Sequence, residues 1–308
     1  MNRIGDQLNN IRYNLQNANF NNDFLNSNTI VSNFAFLILV VFLFVIVSAV
    51  LMNVVNYFMS PEYNPKLING MVPGNQLTTI KQNPNYGGAI PVRRSNNAHE
   101  GIEFTWSLWL FLEDGPTTSG SDYLHVFHKG DNKPNANGNF KDADSPANIL
   151  TNKGMNQVLN GPGLYIKPFA SGDKTTSLTF VINTFDTATI VEKVEVDNIP
   201  INKWFNIMIM CKNRYLDIYI NGTIKKRYQM SGLPKQNYGD VYVGATTSSN
   251  KFDGFVSNLW YYDYALGTRE IEGIMSSGAN TKLVSESAIN AKTSGFYFLS
   301  LRWFMPDD

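Results

Sequence analysis

The sequence predicts an all-β protein, an antiparallel jelly-roll sandwich preceded by one transmembrane helix. Three observations carry this reading. An uncharged apolar run occupies Phe34 to Met52. Eight or more short β-branched and aromatic runs follow Gly101, bounded by Gly, Asn, Asp and Pro, which is the pattern of strands and turns. Helical patterning after that apolar run is confined to ALGTREIEGIMSSG.

Composition bounds the rest. A chain of 308 residues suggests one or two domains at about 150 residues each. Lys plus Arg is 25 and Asp plus Glu is 25, so the chain has no general electrostatic pull on nucleic acid, and no nucleic-acid partner is expected. Charged residues are 16% and aromatics 13%, a balance that opposes wholesale disorder. Cys211 is alone, which excludes an intramolecular disulfide framework and a multi-cysteine zinc site. Three histidines leave little material for a histidine metal centre. The load of 39 Asn reads first as the mark of an A/T-rich genome.

Residues 1–33 form a polar, Asn-rich tail. Ile11, Leu15, Phe20, Phe24 and Leu25 make a loose helical stripe, which fits a short amphipathic surface helix and a disordered tail equally. Residues 34–59 are the transmembrane helix. The 19 residues from Phe34 to Met52, with Val41 and Phe44 near their middle, rise about 28 Å as a helix, close to the hydrocarbon thickness of a bilayer. Only a helix satisfies its own backbone in lipid. Apolar residues run all round it, which opposes a buried core helix. The run is too long, starts too far in and lacks a preceding basic region, which opposes a cleaved signal peptide. Flanking charges are too sparse to set orientation. A large domain with one Cys suits a reducing compartment, so the C-terminal part is expected on the cytosolic side.

Residues 60–75 read as a Pro-rich tether, and the stretch to residue 100 as holding at most one early strand. Residues 76–280 read as the sandwich. In GIEFTWSLWLFLED, alternation puts Phe104, Trp106, Leu108 and Leu110 on one face and Trp109 and Phe111 on the other, as in a strand covered on both sides. Asn221-Gly222, between YLDIYI and TIKKRYQM, signals a two-residue type I′ hairpin. Thr268 is placed to cap the short helix and Gly278 to end it. Residues 281–308 form a C-terminal extension whose GFYFLSLRWFM is a candidate closing strand.

The order of these segments resembles the laminin-G-like branch of the concanavalin A-like sandwiches. Trp204, Tyr219, Asn221, Gly222, Gly244, Gly254, Tyr264, Ala265, Leu266 and Glu270 match that pattern over roughly residues 76–280. RSNNAHEGIEFTWSLWL behind a single span, with a closing FLSLRWFM, also resembles membrane-linked laminin-G-like proteins of large DNA viruses, some of which belong to the capsid's inner layer.

Some relatives of this fold hydrolyse polysaccharides with acids on one strand, because retaining hydrolysis needs two carboxyls about 5 to 5.5 Å apart. Here Glu195 and Asp197 share a face of Glu192–Asp197, but Ile199 and Pro200 stand where a third acid is needed, so a solvated strand face is the better reading. His125 and His128 are three apart, an offset that sends side chains of a regular strand to opposite faces and prevents joint metal binding. No G-x-S-x-G, P-loop or G-x-G-x-x-G occurs. Calcium is the ligand the resemblance implies, yet Asp131, Asp142, Asp144, Asp240 and Asp253 fit no calcium-loop spacing. No catalytic, cofactor or metal residues are therefore assigned. Trp260, Tyr262 and Tyr264 form a candidate ligand rim, with Tyr261 between them, though alternation buries part of this run.

Three functions stand. The first is a non-enzymatic, membrane-anchored structural or adhesion protein. By resemblance it is a viral minor capsid protein of the virion, linking an internal membrane to the capsid shell through protein–protein contacts. The second is a lectin-like attachment protein with a glycan partner. The third, a glycosidase, is disfavoured by the missing acid.

Overall fold

The computed structural model describes residues 30–59, 64–98, 101–114, 122–133, 154–156, 159–186 and 191–292. The chain divides into two compact units, one ending at Ser60 and one starting at Pro61. The first contains helix α1 (Ile30–Met59), with no acid in its first turn and no base in its last. Its stretch Asn33–Val55 is long and apolar enough to cross a membrane, and none of it is buried within the protein.

The second unit holds thirteen described strands. They are β1 (Met71–Pro73), β2 (Thr78–Ile80), β3 (Asn96–Ala98), β4 (Gly101–Leu112), β5 (Leu124–Gly130) and β6 (Asn160–Ile166). Next come β7 (Thr175–Asn183), β8 (Val191–Pro200), β9 (Trp204–Lys212), β10 (Tyr215–Ile220), β11 (Thr223–Gln229), β12 (Asp240–Val243) and β13 (Gly254–Tyr262). One sheet runs β1-β13-β4-β9-β10-β11, with β3 pairing the start of β4. The other runs β2-β12-β5-β6-β7-β8. Neighbouring strands pair antiparallel throughout. This is the two-sheet sandwich that the strand pattern predicts.

The core lies between the sheets. Phe104, Trp106, Leu108 and Leu110 of β4 all join it. Trp106 sits at its centre, 5.6 Å from the Phe127 ring and 5.0 Å, edge-on, from Tyr261. The outer face of β4 is also covered, since Trp109 is buried and Phe111 packs on Trp204 with ring centroids 5.4 Å apart. Trp204 is thus half-buried on the outside of the sheet rather than in the core.

The chain enters the sandwich earlier than the Pro-rich composition of residues 60–75 suggests. Leu67, Ile68 and Val72 are buried core residues, and the Leu67 amide donates to the Leu259 carbonyl at 2.9 Å. β1 pairs with β13 at one sheet edge, and β2 pairs with β12 in the other sheet. Pro73 is compatible because it ends an edge strand, where a missing N–H costs no ladder bond. Three strands, β1, β2 and β3, lie before residue 100, where at most one is expected.

Helix α2 (Thr268–Ser277) packs Ile271 with Leu266, Met208 and Met210 on the outer face of the first sheet. Its N-cap is Gly267, not Thr268, and the Gly267 amide donates to the Glu270 carboxylate at 2.8 Å. Gly278, at φ 65°, follows its last turn. A second short helix, α3 (Glu286–Lys292), lies where no helix is predicted. The candidate closing strand GFYFLSLRWFM and the tail 1–29 fall outside the described residues.

The hairpin is as predicted: Ile220 pairs with Thr223, and Asn221 and Gly222 take φ of 51° and 72°. Among the described residues, all five non-glycine positions with positive φ are Asn: 198, 202, 213, 221 and 258. Asparagine tolerates the left-handed region better than other side chains, so part of the asparagine load has a backbone use.

Candidate binding site

The strand-borne histidines correct a sequence expectation. Between His125 and Phe127 the β5–β6 register slips, with His125 opposite Tyr165 and Phe127 opposite Leu164. Val126 is the inserted residue of a β-bulge, and both Val126 and Phe127 turn into the core. His125 and His128 therefore leave the strand on the same side. His125 Nε2 lies 2.7 Å from His128 Nδ1. Two nitrogens that close share a hydrogen rather than a metal ion, whose tetrahedral ligands at about 2.0–2.1 Å stand farther apart. His125 Nδ1 faces the Gly244 carbonyl, and His128 Nε2 faces the Asp131 carbonyl at 3.1 Å. Asn156 Nδ2 reaches His128 Nδ1 at 2.7 Å, and Tyr165 donates to Asn160 Oδ1 at 2.7 Å. Burial drives the His125 pKa down to about 4 and lowers that of His128 well below its ordinary value. This network is a neutral, buried polar core beneath the loops.

The acids are dispersed. Glu192 is buried and accepts from the Tyr228 hydroxyl at 2.6 Å and the Ser231 amide at 2.7 Å, tying β8 to β11 and the segment that follows it. Asp197 accepts from the Ser177 hydroxyl at 2.6 Å, and Glu195 is exposed. Asp240 pairs with Lys81 at 2.9 Å and accepts from the Gln82 amide. Asp142 and Asp144 lie outside the described residues. Among the described residues no three His, Cys, Asp or Glu side chains gather to hold a metal ion. Cys211 is buried, and burial pushes its thiol up to about 12, which makes it a poor nucleophile.

Trp260, Tyr262 and Tyr264 form a half-buried row. Trp260 and Tyr262 stack with centroids 5.7 Å apart and planes 6° apart, and Tyr264 meets Tyr262 edge-on at 6.1 Å. Lys66 Nζ lies 4.9 Å from the Trp260 centroid. The Tyr264 hydroxyl donates to Glu270 at 2.5 Å, which fastens the row to α2. Tyr261, between them, is buried on the core side. On β4, Trp106 lies opposite Tyr261 and faces the core, while Gly254 begins β13 opposite Leu112, where a Cβ would fall 2.1 Å from the Phe111 carbonyl.

A second feature was not singled out from the sequence. A cavity of about 160 Å³ opens at one end of the sandwich, where both sheets contribute. Trp106 and Tyr261 of one sheet and Ile182 of the other supply its buried apolar wall. The segment Val92–Arg94 and the loop Pro234–Tyr238 form its other sides. Four lining residues are basic, namely Arg93, Arg94, Lys129 and Lys235, and none is acidic. Lys129 is buried and donates to the carbonyls of Asn237 at 2.9 Å and Gly239 at 2.7 Å. Burial lowers its pKa to about 8. Tyr238 stands 93% exposed beside the opening. The sequence conceals this site because its cations come from three distant segments, each carrying only one or two.

Comparison with solved structures returned receptor-binding domains of botulinum neurotoxins. The binding domain of serotype D matches with 11% identity and a TM-score of 0.43, over 68% of this chain and 44% of that one. The domain of serotype DC, solved in complex with rat synaptotagmin II, matches with 13% identity and a TM-score of 0.38, over 57% and 36%. The chain thus spans less than half the length of these structures. Comparison with curated proteins returned no match. The family model described as the concanavalin A-like lectin/glucanases superfamily, of laminin G type, matches residues 86–272, and with the two-sheet sandwich in place the chain belongs to that superfamily.

Proposed function

We propose that this chain is a membrane-anchored, non-enzymatic binding protein, in which the apolar helix seats in a bilayer and the sandwich makes the contacts. The observation that carries the reading is α1: 23 successive residues from Asn33 to Val55, apolar on every side and buried against no other part of the protein. Such a surface is stable only in lipid or against an equally apolar partner. Among the described acids of β8, Glu192 is committed to Tyr228 and Ser231, and Ile199 and Pro200 stand where a third acid would follow Glu195 and Asp197, which does not favour hydrolysis. In its finer form the protein is a minor capsid component that holds an internal virion membrane against the shell, with the sandwich on the cytosolic side during assembly. Its support is the resemblance of RSNNAHEGIEFTWSLWL behind a single span to membrane-linked proteins of large DNA viruses.

Alkaline carbonate extraction tests the anchor, and protease treatment of intact purified particles tests the placement. Retention in the membrane pellet and protection until the particle is opened are the expected results. Release by carbonate defeats the anchor, and cleavage on intact particles defeats the internal placement. The half-exposed Trp260–Tyr262 stack favours one second reading, a glycan-binding attachment protein, since parallel aromatic faces suit sugar rings. Glycan-array binding that is lost in Trp260→Ala would favour that reading over the structural one.

A further inference from the structure

The cavity at the sandwich end goes beyond both readings. We propose that it is a site for a small organic anion about one ring in size, with the ring against Trp106 and Tyr261 and the acidic group toward Arg94, Lys235 and Lys129. Size comes first. About 160 Å³ is the volume that admits one six-membered ring, since a cavity of about 150 Å³ takes benzene. The wall decides the body of the ligand. Trp106, Ile182 and Tyr261 are nearly wholly buried in the core, so the part of the cavity they bound is apolar and fixed in place.

Charge decides the head. Arg94 and Lys235 are exposed at the opening, while Lys129 is buried within it. Lys129 uses two of its three N–H donors on the Asn237 and Gly239 carbonyls, so one remains for a guest. Asp240, the nearby acid, is engaged by Lys81 and the Gln82 amide and does not line the cavity. A chain of zero net charge thus gathers four cations around one apolar hole. A neutral ring without an acceptor would leave the third Lys129 donor unused, and a bare inorganic anion would leave the apolar wall unused.

The test uses the full chain in lipid nanodiscs, with empty nanodiscs as control. Ligand-observed saturation-transfer NMR would compare benzoate, its neutral counterpart benzamide, and inorganic phosphate. Benzoate should bind at millimolar concentration, and benzamide about tenfold more weakly, the effect of losing one charge-assisted hydrogen bond. Phosphate should fail to displace benzoate at equal concentration. The double variant Arg94→Gln/Lys235→Gln, which alters exposed side chains only, should weaken benzoate by about tenfold with an unchanged melting temperature. Equal binding of benzoate and benzamide would reduce the site to an apolar hole. Displacement by phosphate would reduce it to an ion patch. Undiminished benzoate binding by the double variant, or none by the native protein, would overturn the proposal.

Discussion

His125 and His128, three residues apart on one strand, face each other across 2.7 Å inside the protein. Two neutral imidazoles carry two N–H groups, yet the line from the Gly244 carbonyl through both rings to the Asp131 carbonyl has three gaps. The pair is stable while neutral because Tyr165, Tyr242 and Asn156 enclose it and exclude the water a cation needs. The folded pKa of His125, about 4, lies below the unfolded value of about 6.5, so between those pH values the unfolded chain binds more protons. Stability is complete above pH 6.5 and falls as pH drops toward 4, by roughly 3 kcal/mol from His125 alone. Thermal unfolding of the full chain in nanodiscs from pH 7.5 to 4.5 measures this. A His125→Gln variant should start less stable at pH 7.5 and lose less below pH 6.5. An acid limb of equal slope in both proteins would show that other groups cause it.

Trp106 on β4 and Trp204 on the neighbouring β9 should differ in their effect on stability. Trp106 touches Phe127 and Tyr261 between the sheets, whereas Trp204 rests half-buried on Phe111 outside them. Trp106→Ala should cost about 3–5 kcal/mol by leaving a cavity. Trp204→Ala should cost about 1–2 kcal/mol, since solvent refills part of the space. Equilibrium unfolding of both variants gives the comparison, and a larger loss at Trp204 would contradict this assignment of faces.

Two glycines should respond with opposite sign. At Gly254, φ is 143° and a Cβ would lie 2.1 Å from the Phe111 carbonyl, so Gly254→Ala forces β13 off β4 and should cost more than about 2 kcal/mol. At Gly273, inside exposed α2, nothing lies within 4 Å of the added carbon. Gly273→Ala should stabilise by about 0.5–1 kcal/mol through helix propensity. Shifts of the same sign would refute the distinction.

These contrasts also show where sequence reasoning reaches. Alternation around Trp106 and the Asn-Gly turn were legible because each depends on neighbours within one strand or one hairpin. The histidine pair was not. Strict alternation sends His125 and His128 apart, and only the extra residue Val126 reunites them. The early strands were hidden by prolines, although Leu67, Ile68 and Val72 carry the apolar signal between them. The aromatic row was readable from its period of two, with Trp260 and Tyr262 on β13 and Tyr264 just past its end. The basic cavity was not, because Arg94, Lys129 and Lys235 meet only through the pairing of β12 with β5 and the loop that precedes β12.

The anchor should be sensitive to charge at its middle. Val41 and Phe44 are exposed on α1, so substitution by Arg disturbs no packing within the protein. Each of Val41→Arg and Phe44→Arg should add roughly 2.5–3.5 kcal/mol to insertion. The double variant should move from the carbonate pellet to the supernatant. If it pellets as the native chain does, the helix is not held by lipid.

Asn221 should remain bare, and the reason joins backbone to compartment. Asn221-Gly222-Thr223 is an acceptor sequence for N-glycosylation, and Asn221 is exposed. The structure explains the residue otherwise. At φ 51° it occupies the first corner of the hairpin, and its Oδ1 accepts from the Asn206 amide at 2.9 Å. Asparagine is there for the turn, and a glycan is not needed to account for it. Orientation decides whether one is added. A domain whose single Cys211 is buried and unpaired suits the cytosol, where no N-glycan is attached. The capsid-linking reading needs that orientation, whereas a lectin displayed outside passes through the secretory lumen with an open sequon. Glycosidase treatment of protein from expressing cells should therefore leave its mobility unchanged. Asn221→Gln also loses the bond to Asn206, so Thr223→Ala, which removes the acceptor sequence at an exposed position, is the cleaner control. A mobility shift abolished by Thr223→Ala would place the sandwich in the lumen and remove the topological basis for a role beneath a capsid shell.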